Sequence, residues 1–108
     1  MHELVGVATV DRIAPGRAMS VVVAGQAIAV FNVAGHLYAL DDACIRCGSS
    51  LAIGRVNGMT VVCCGCGWRY DVRSGSVRGI PGLQIDTFNV AIVDTHVMID
   101  AVPIPNVR

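Results

Sequence analysis

Lysine is absent from the chain: all eight basic residues are arginines, and they balance eight acids to a formal net charge of zero. A neutral chain excludes nucleic-acid binding through bulk charge. The missing lysine is an oddity of composition rather than of mechanism. Aromatic residues are scarce too, limited to Phe31, Tyr38, Trp68, Tyr70 and Phe88, so the core has to be built from Val, Ile, Ala and Leu. No apolar run approaches the roughly 20 residues needed to cross a bilayer. The start, Met1-His2-Glu3-Leu4, has no basic stretch followed by an apolar one and so offers no secretory signal. The expected location is the cytoplasm. A reducing compartment favours metal binding over structural disulfides for the five cysteines.

What the chain does have is 108 residues that are 54% hydrophobic and 15% charged, enough for one folded domain and too few for two cores. Twelve glycines and many β-branched residues favour short strands and tight turns. Strand-like segments run over Leu4 to Thr9, Ala18 to Ala24, Ala27 to Val33, His36 to Leu40, Val61 to Cys63, Trp68 to Val72, Phe88 to Val93 and His96 to Val102. Turn signals separate them: Ala14-Pro15-Gly16, Gly25-Gln26, Ala34-Gly35 and Asp94-Thr95. The only helical expectation is one short turn near Ser49 to Ile53. This pattern predicts an all-β antiparallel sandwich or barrel as a single domain over residues 1–102. Residues 103–108, with Pro103 and Pro105, are expected to form a tail over the surface.

The chemistry concentrates between Cys44 and Tyr70. Cys44-Ile45-Arg46-Cys47-Gly48 is one C-x-x-C-G unit, and Cys63-Cys64-Gly65-Cys66-Gly67 contains another, fifteen residues further on. In such a unit two sulfurs reach one ion while backbone N–H groups turn towards the thiolates, and the glycine permits the turn. Two units supply four thiolates, suited to zinc, a single iron or an iron–sulfur cluster. Ordinary buried cysteines do not cluster within 23 positions as Cys44 to Cys66 do. A redox-active dithiol opens a helix in an α/β fold, which this pattern does not offer. The expected ligands are Cys44, Cys47, Cys63 and Cys66, with Cys64 a bystander.

The segment Cys63-Cys64-Gly65-Cys66-Gly67-Trp68-Arg69-Tyr70-Asp71 resembles the second cluster-binding loop, C-P-x-H-G-W-x-[FY]-D, of the Rieske-type ferredoxin family. Cys44, Arg46, Gly48 and Leu51 frame a first loop like that family's C-x-H loop. Ala29 to Asp42 and Ser74 to Val77 resemble its flanks. The resemblance implies a Rieske sandwich with a small metal-binding subdomain made of loops 44–51 and 63–70. It departs at the ligands: both histidine positions are replaced, by Arg46 and Cys66. The three histidines, His2, His36 and His96, lie outside the loops. Arginine has no lone pair to give, so Cys47, one residue along, is expected to supply the missing bond. The paired knuckles resemble those of rubredoxins and zinc ribbons. A single Fe or Zn is therefore favoured over an all-cysteine [2Fe-2S] cluster. The positions of a loop-bridging disulfide in membrane-complex members are Ser49 and Gly65 here, so the site resembles the soluble branch. Tyr70 is expected either to donate a hydrogen bond to a sulfur or simply to pack. Arg46 and Arg69 either offset the thiolate charge or form a solvated rim.

The implied function is electron transfer by a small soluble carrier, not catalysis. Its partners would be a reductase and a terminal oxygenase, docking transiently at loop tips around Arg46, Gly48, Gly65 and Gly67. The alternative is a structural zinc module without redox activity. A thiol switch that releases its metal on oxidation is a third reading.

Overall fold

The computed structural model describes residues 4–104. Nine strands follow in order: β1 (Leu4–Thr9), β2 (Ala18–Val23), β3 (Gln26–Val33), β4 (His36–Asp41), β5 (Arg55–Asn57), β6 (Thr60–Val62), β7 (Arg69–Asp71), β8 (Thr87–Val93) and β9 (His96–Pro103). Single 3-10 turns lie at Val10–Arg12 and Leu51–Ile53. Among the described residues no helix is long and apolar enough to cross a membrane.

Six strands form one antiparallel sheet in the order β1-β9-β8-β4-β3-β2, and β5-β6-β7 form a second. The large sheet curls: Val21 and Val23 of β2 share a buried cluster with Val97 and Ile99 of β9, which stand near opposite edges of the strand order. Its other face, through Ala29, Phe31 and Leu40, packs on Val61, Tyr70 and Val72 of the smaller unit. Strand β3 is thus buried on both faces. This explains why Ile28-Ala29-Val30-Phe31 is an unbroken apolar run instead of an alternating one.

The sequence placed the β2–β3 connection at Gly25-Gln26. Val23 pairs with Gln26, so the connection is Ala24-Gly25, with positive φ at both residues as in a type I′ turn. Strand β5 was missed because a three-residue segment, Arg55-Val56-Asn57, carries too little periodicity to register. The expected tail also begins late: Pro103 pairs with Phe88, and the Ile104 N–H donates to the Thr87 carbonyl at 2.8 Å. The described pairing of β1 with β9 ends at Leu4 and Asp100. The remainder of the tail, and His2, lie outside the described residues.

Candidate metal centre

The two C-x-x-C-G segments fold as the same turn. In the loop after β4, the Cys44 N–H donates to the Ser49 carbonyl (2.9 Å) and the Gly48 N–H to the Cys44 carbonyl (2.9 Å). In the loop between β6 and β7, the Cys63 N–H donates to the Trp68 carbonyl (2.8 Å) and the Gly67 N–H to the Cys63 carbonyl (2.9 Å). Gly48 and Gly67 close these turns at φ +79° and +80°, the left-handed region where a side chain is strained.

Each loop contributes one buried cysteine, Cys44 or Cys63, and one more open cysteine, Cys47 or Cys66. They meet crosswise: Cys44 Sγ lies 3.7 Å from Cys66 Sγ, and Cys47 Sγ lies 3.4 Å from Cys63 Sγ. All four sulfurs fall within 4.8 Å of one another. A tetrahedral ion with metal–sulfur bonds of about 2.3 Å spaces its sulfurs about 3.8 Å apart. Among the described residues this is the only grouping of three or more His, Cys, Asp or Glu donor atoms that close together. Cys64 is exposed and stands outside it.

The frame around the sulfurs is polar and specific. The buried Tyr70 hydroxyl accepts the Ile45 N–H at 3.1 Å and lies 3.1 Å from Cys44 Sγ, to which it donates when that cysteine is a thiolate. Tyr70 also packs in the core, so both of its expected roles hold together. Burial works against the Cys44 thiolate, yet Tyr70 and the N–H groups of Cys47 and Arg46 outweigh it and bring that thiol down to about 6. Burial instead pushes Cys63 up to about 12. The Ser49 hydroxyl and N–H lower Cys47. At Cys66 the Trp68 N–H favours the thiolate, but burial and the neighbouring Cys44 leave the thiol raised.

Arg46 does not approach the sulfurs as a ligand. It is exposed, with its guanidinium carbon 5.4 Å from the centre of the Trp68 ring, a cation–π contact that ties one loop to the other. Arg69 alternates with the inward Tyr70 and lies on the outer face of the small sheet, so it belongs to the rim.

Three positions escaped the sequence analysis. Asp42 is buried at the base of the first loop, where its carboxylate accepts Ser20 Oγ (3.0 Å), Ser50 Oγ (2.8 Å) and the Ala52 N–H (2.9 Å). Ser49 faces the sulfurs, its hydroxyl 3.3 Å from Cys47 Sγ. Gly65 is the third. A Cβ there would come within 2.3 Å of Ser49 Oγ and 2.9 Å of Cys47 Sγ, so any side chain would displace that hydroxyl and that sulfur. The resemblance pointed at Ser49 and Gly65 as the place of a missing disulfide, and at Gly65 as a loop tip, but not at the room Gly65 leaves for a sulfur.

A family model, the Rieske [2Fe-2S] domain, matches residues 3–93. The chain is 33% identical to the naphthalene 1,2-dioxygenase system ferredoxin component of Pseudomonas putida, over 79% of this chain and 83% of the relative. It is 31% identical to the biphenyl dioxygenase ferredoxin subunit of a Pseudomonas species, over 85% and 86% of the two chains. The solved ferredoxin of Sphingomonas yanoikuyae superposes with a TM-score of 0.82 at 27% identity, covering 91% of this chain and 98% of that one. The chain belongs to the Rieske ferredoxin family. Its relatives are ferredoxin components, electron carriers rather than catalysts, and so is this Rieske ferredoxin.

The cofactor usual in that family takes two histidines on one iron. The donor set of this Rieske ferredoxin holds no histidine: His36 and His96 stand at the β3–β4 and β8–β9 turns. These residues do not fit a histidine-ligated cluster; the chemistry of the set is that of four thiolates.

Metal uptake is expected to compete with protons. Cys63 and Cys66, both raised, still carry protons at neutral pH, and binding must displace them. The apparent affinity for cobalt(II), read from thiolate-to-metal absorption, should therefore fall by at least about a hundredfold for each pH unit lost between 8 and 6, and more steeply below 6, where Cys44 takes up a proton as well. An affinity flat in pH contradicts this. Gly65→Ala should crowd Cys47 and weaken cobalt(II) binding by about 10–100-fold, with the four-sulfur spectrum distorted. Unchanged affinity and spectrum would show that Cys47 does not depend on that gap.

Proposed function

We propose that the chain is a soluble one-electron carrier whose redox element is a single iron held by Cys44, Cys47, Cys63 and Cys66. The observation that carries this reading is the crosswise approach of the sulfurs at 3.4 and 3.7 Å. A two-iron cluster on this scaffold sets one ligand from each loop on each iron, Cys44 with Cys63 and Cys47 with Cys66, and holds the two pairs apart by its own width. Here the close approaches run between those pairs, which suits a cage for one ion.

An iron held there supplies one-electron chemistry. The chain's own groups hold it and temper its charge: Tyr70 O–H and the turn N–H groups face the thiolates, Asp42 ties the first loop to β2, and the Arg46–Trp68 contact ties one loop to the other. Cys47 and Cys66 leave one edge of the cage open at the loop tips. That edge, around Arg46, Gly48, Gly65 and Gly67, serves as a small, transient docking face of the kind electron-transfer proteins use. The two relatives named above are components of dioxygenase systems. By likeness to them, the carrier takes electrons from a reductase and delivers them to a terminal oxygenase, in the cytoplasm. One domain, with loops 44–51 and 63–70 as its metal-binding part, suffices for this.

The same four-thiolate cage suits structural zinc, so metal content decides. Freshly purified, untagged protein grown with ample iron should carry one iron per chain and no acid-labile sulfide, and should bleach reversibly on reduction. Two irons with sulfide would replace the single ion by a cluster. Zinc alone, with no iron form that cycles, would overturn the carrier reading.

A further inference from the structure

The chain is neutral overall but strongly polarised. Residues 43–85, which form both cysteine loops and the small sheet, hold five arginines and one acid, while the rest of the chain holds three arginines and seven acids. That segment carries +4 and the rest of the chain −4, counting five less one and three less seven. Asp41, Asp42 and Asp86 border it beside Cys44 and the first loop, so the positive charge is that of the small sheet and not of the whole metal end.

Strand pairing concentrates part of that charge on one face. Arg55 pairs with Val62 and Val62 with Arg69, so the three make a row across the small sheet. Asn57, Thr60 and Asp71 make the next row. Val56, Val61 and Tyr70 alternate with them and face the core. Arg78 reaches over the outer rows, its Nε donating to Thr60 Oγ1 at 2.8 Å and its Nη2 3.5 Å from Asp71 Oδ2. The result is an open groove of about 600 Å³ lined by Arg55, Asn57, Thr60, Val62, Arg69 and Arg78, with no acid among its lining residues. Asp71 is shared by Arg73 and Arg78, whereas Arg55 and Arg69 have no ion-pair partner among the described residues.

Arg55 and Arg69 stand on either side of Val62, on the two outer strands, and neither spends its charge on an ion pair among the described residues. Each presents a planar fork suited to a carboxylate. The groove also adjoins the cage: Val62 directly precedes Cys63, and Arg69 directly follows Trp68, whose carbonyl holds the Cys63 N–H. We propose that this outer face of the small sheet, centred on Arg55, Arg69 and Arg78, is a docking surface for the carboxylate-rich surface of a protein partner. The arginines of the small sheet turn this face towards an acidic partner before contact, and their forks then hold it beside the cage. That the partner exchanges electrons rests on the carrier reading; that it is acidic rests on the groove alone.

The test uses the full chain in its as-purified metal state and a fluorescein-labelled polyglutamate peptide, with binding followed by fluorescence anisotropy. Because no metal ligand lines the groove other than through its neighbours, failure here leaves the four-thiolate reading standing, and failure of the metal assay leaves this one standing. The expected result is saturable binding that weakens with added salt, and a loss of at least about tenfold in the double variant Arg55→Gln, Arg69→Gln. The charge-matched variant Arg12→Gln, Arg17→Gln should bind as the parent does. Equal losses in both variants would reduce the effect to net charge and overturn the proposal. So would an absence of binding, or competition by inorganic phosphate at the concentration at which the peptide itself binds, which would mark a small-anion site.

Discussion

Everything at the metal end depends on holding four sulfurs within a few ångströms of one another, an arrangement that thiolates resist by mutual repulsion. The chain meets it by using one turn twice. Each loop closes with the same pair of backbone hydrogen bonds and the same left-handed glycine, and the loops face each other so that the buried sulfur of one meets the open sulfur of the other. Tyr70, seated at 0% exposure between the sheets, reaches Cys44 from beneath, and the lowered Cys44 thiol records that contact together with the turn amides. The β-scaffold is needed because three-residue strands have no stability of their own. The small sheet stands because Val61 and Tyr70 share a core with Phe31 and Leu40 of the large one.

Against the Rieske scaffold, the departures at the site form a consistent set. Arg46 cannot ligate, and its guanidinium lies over Trp68, bracing the two loops. Cys47 brings a sulfur in one residue later, into space that exists because Gly65 has no side chain. Cys66 supplies the fourth sulfur from the position where the family has its second histidine. A fold built to present two different metal-binding chemistries then presents one. The four sulfurs brought together form a wholly anionic donor set, without the imidazoles that titrate near neutrality.

Most of the architecture was legible because strands announce themselves by short β-branched runs between glycine-bearing turns; β1 was located to the residue. What failed was what period and propensity do not encode. Arg55-Val56-Asn57 is too short to read as a strand, and the Ala24-Gly25 connection required alanine in a left-handed conformation that its identity does not advertise. At the site, repeated spacing was enough to name the four cysteines and to set Cys64 aside. The roles of Asp42 and Gly65 were hidden for a different reason. A buried, thrice-bonded aspartate looks in sequence like its exposed neighbours, and a glycine needed for an absent atom looks like any loop glycine.

The nature of the first coordination sphere is the point on which the whole account turns. X-ray absorption at the metal edge of the purified protein measures it directly. The account predicts a single shell of four sulfurs at about 2.3 Å and no metal–metal scattering. A nitrogen shell, or a second metal at bonding range, would contradict it.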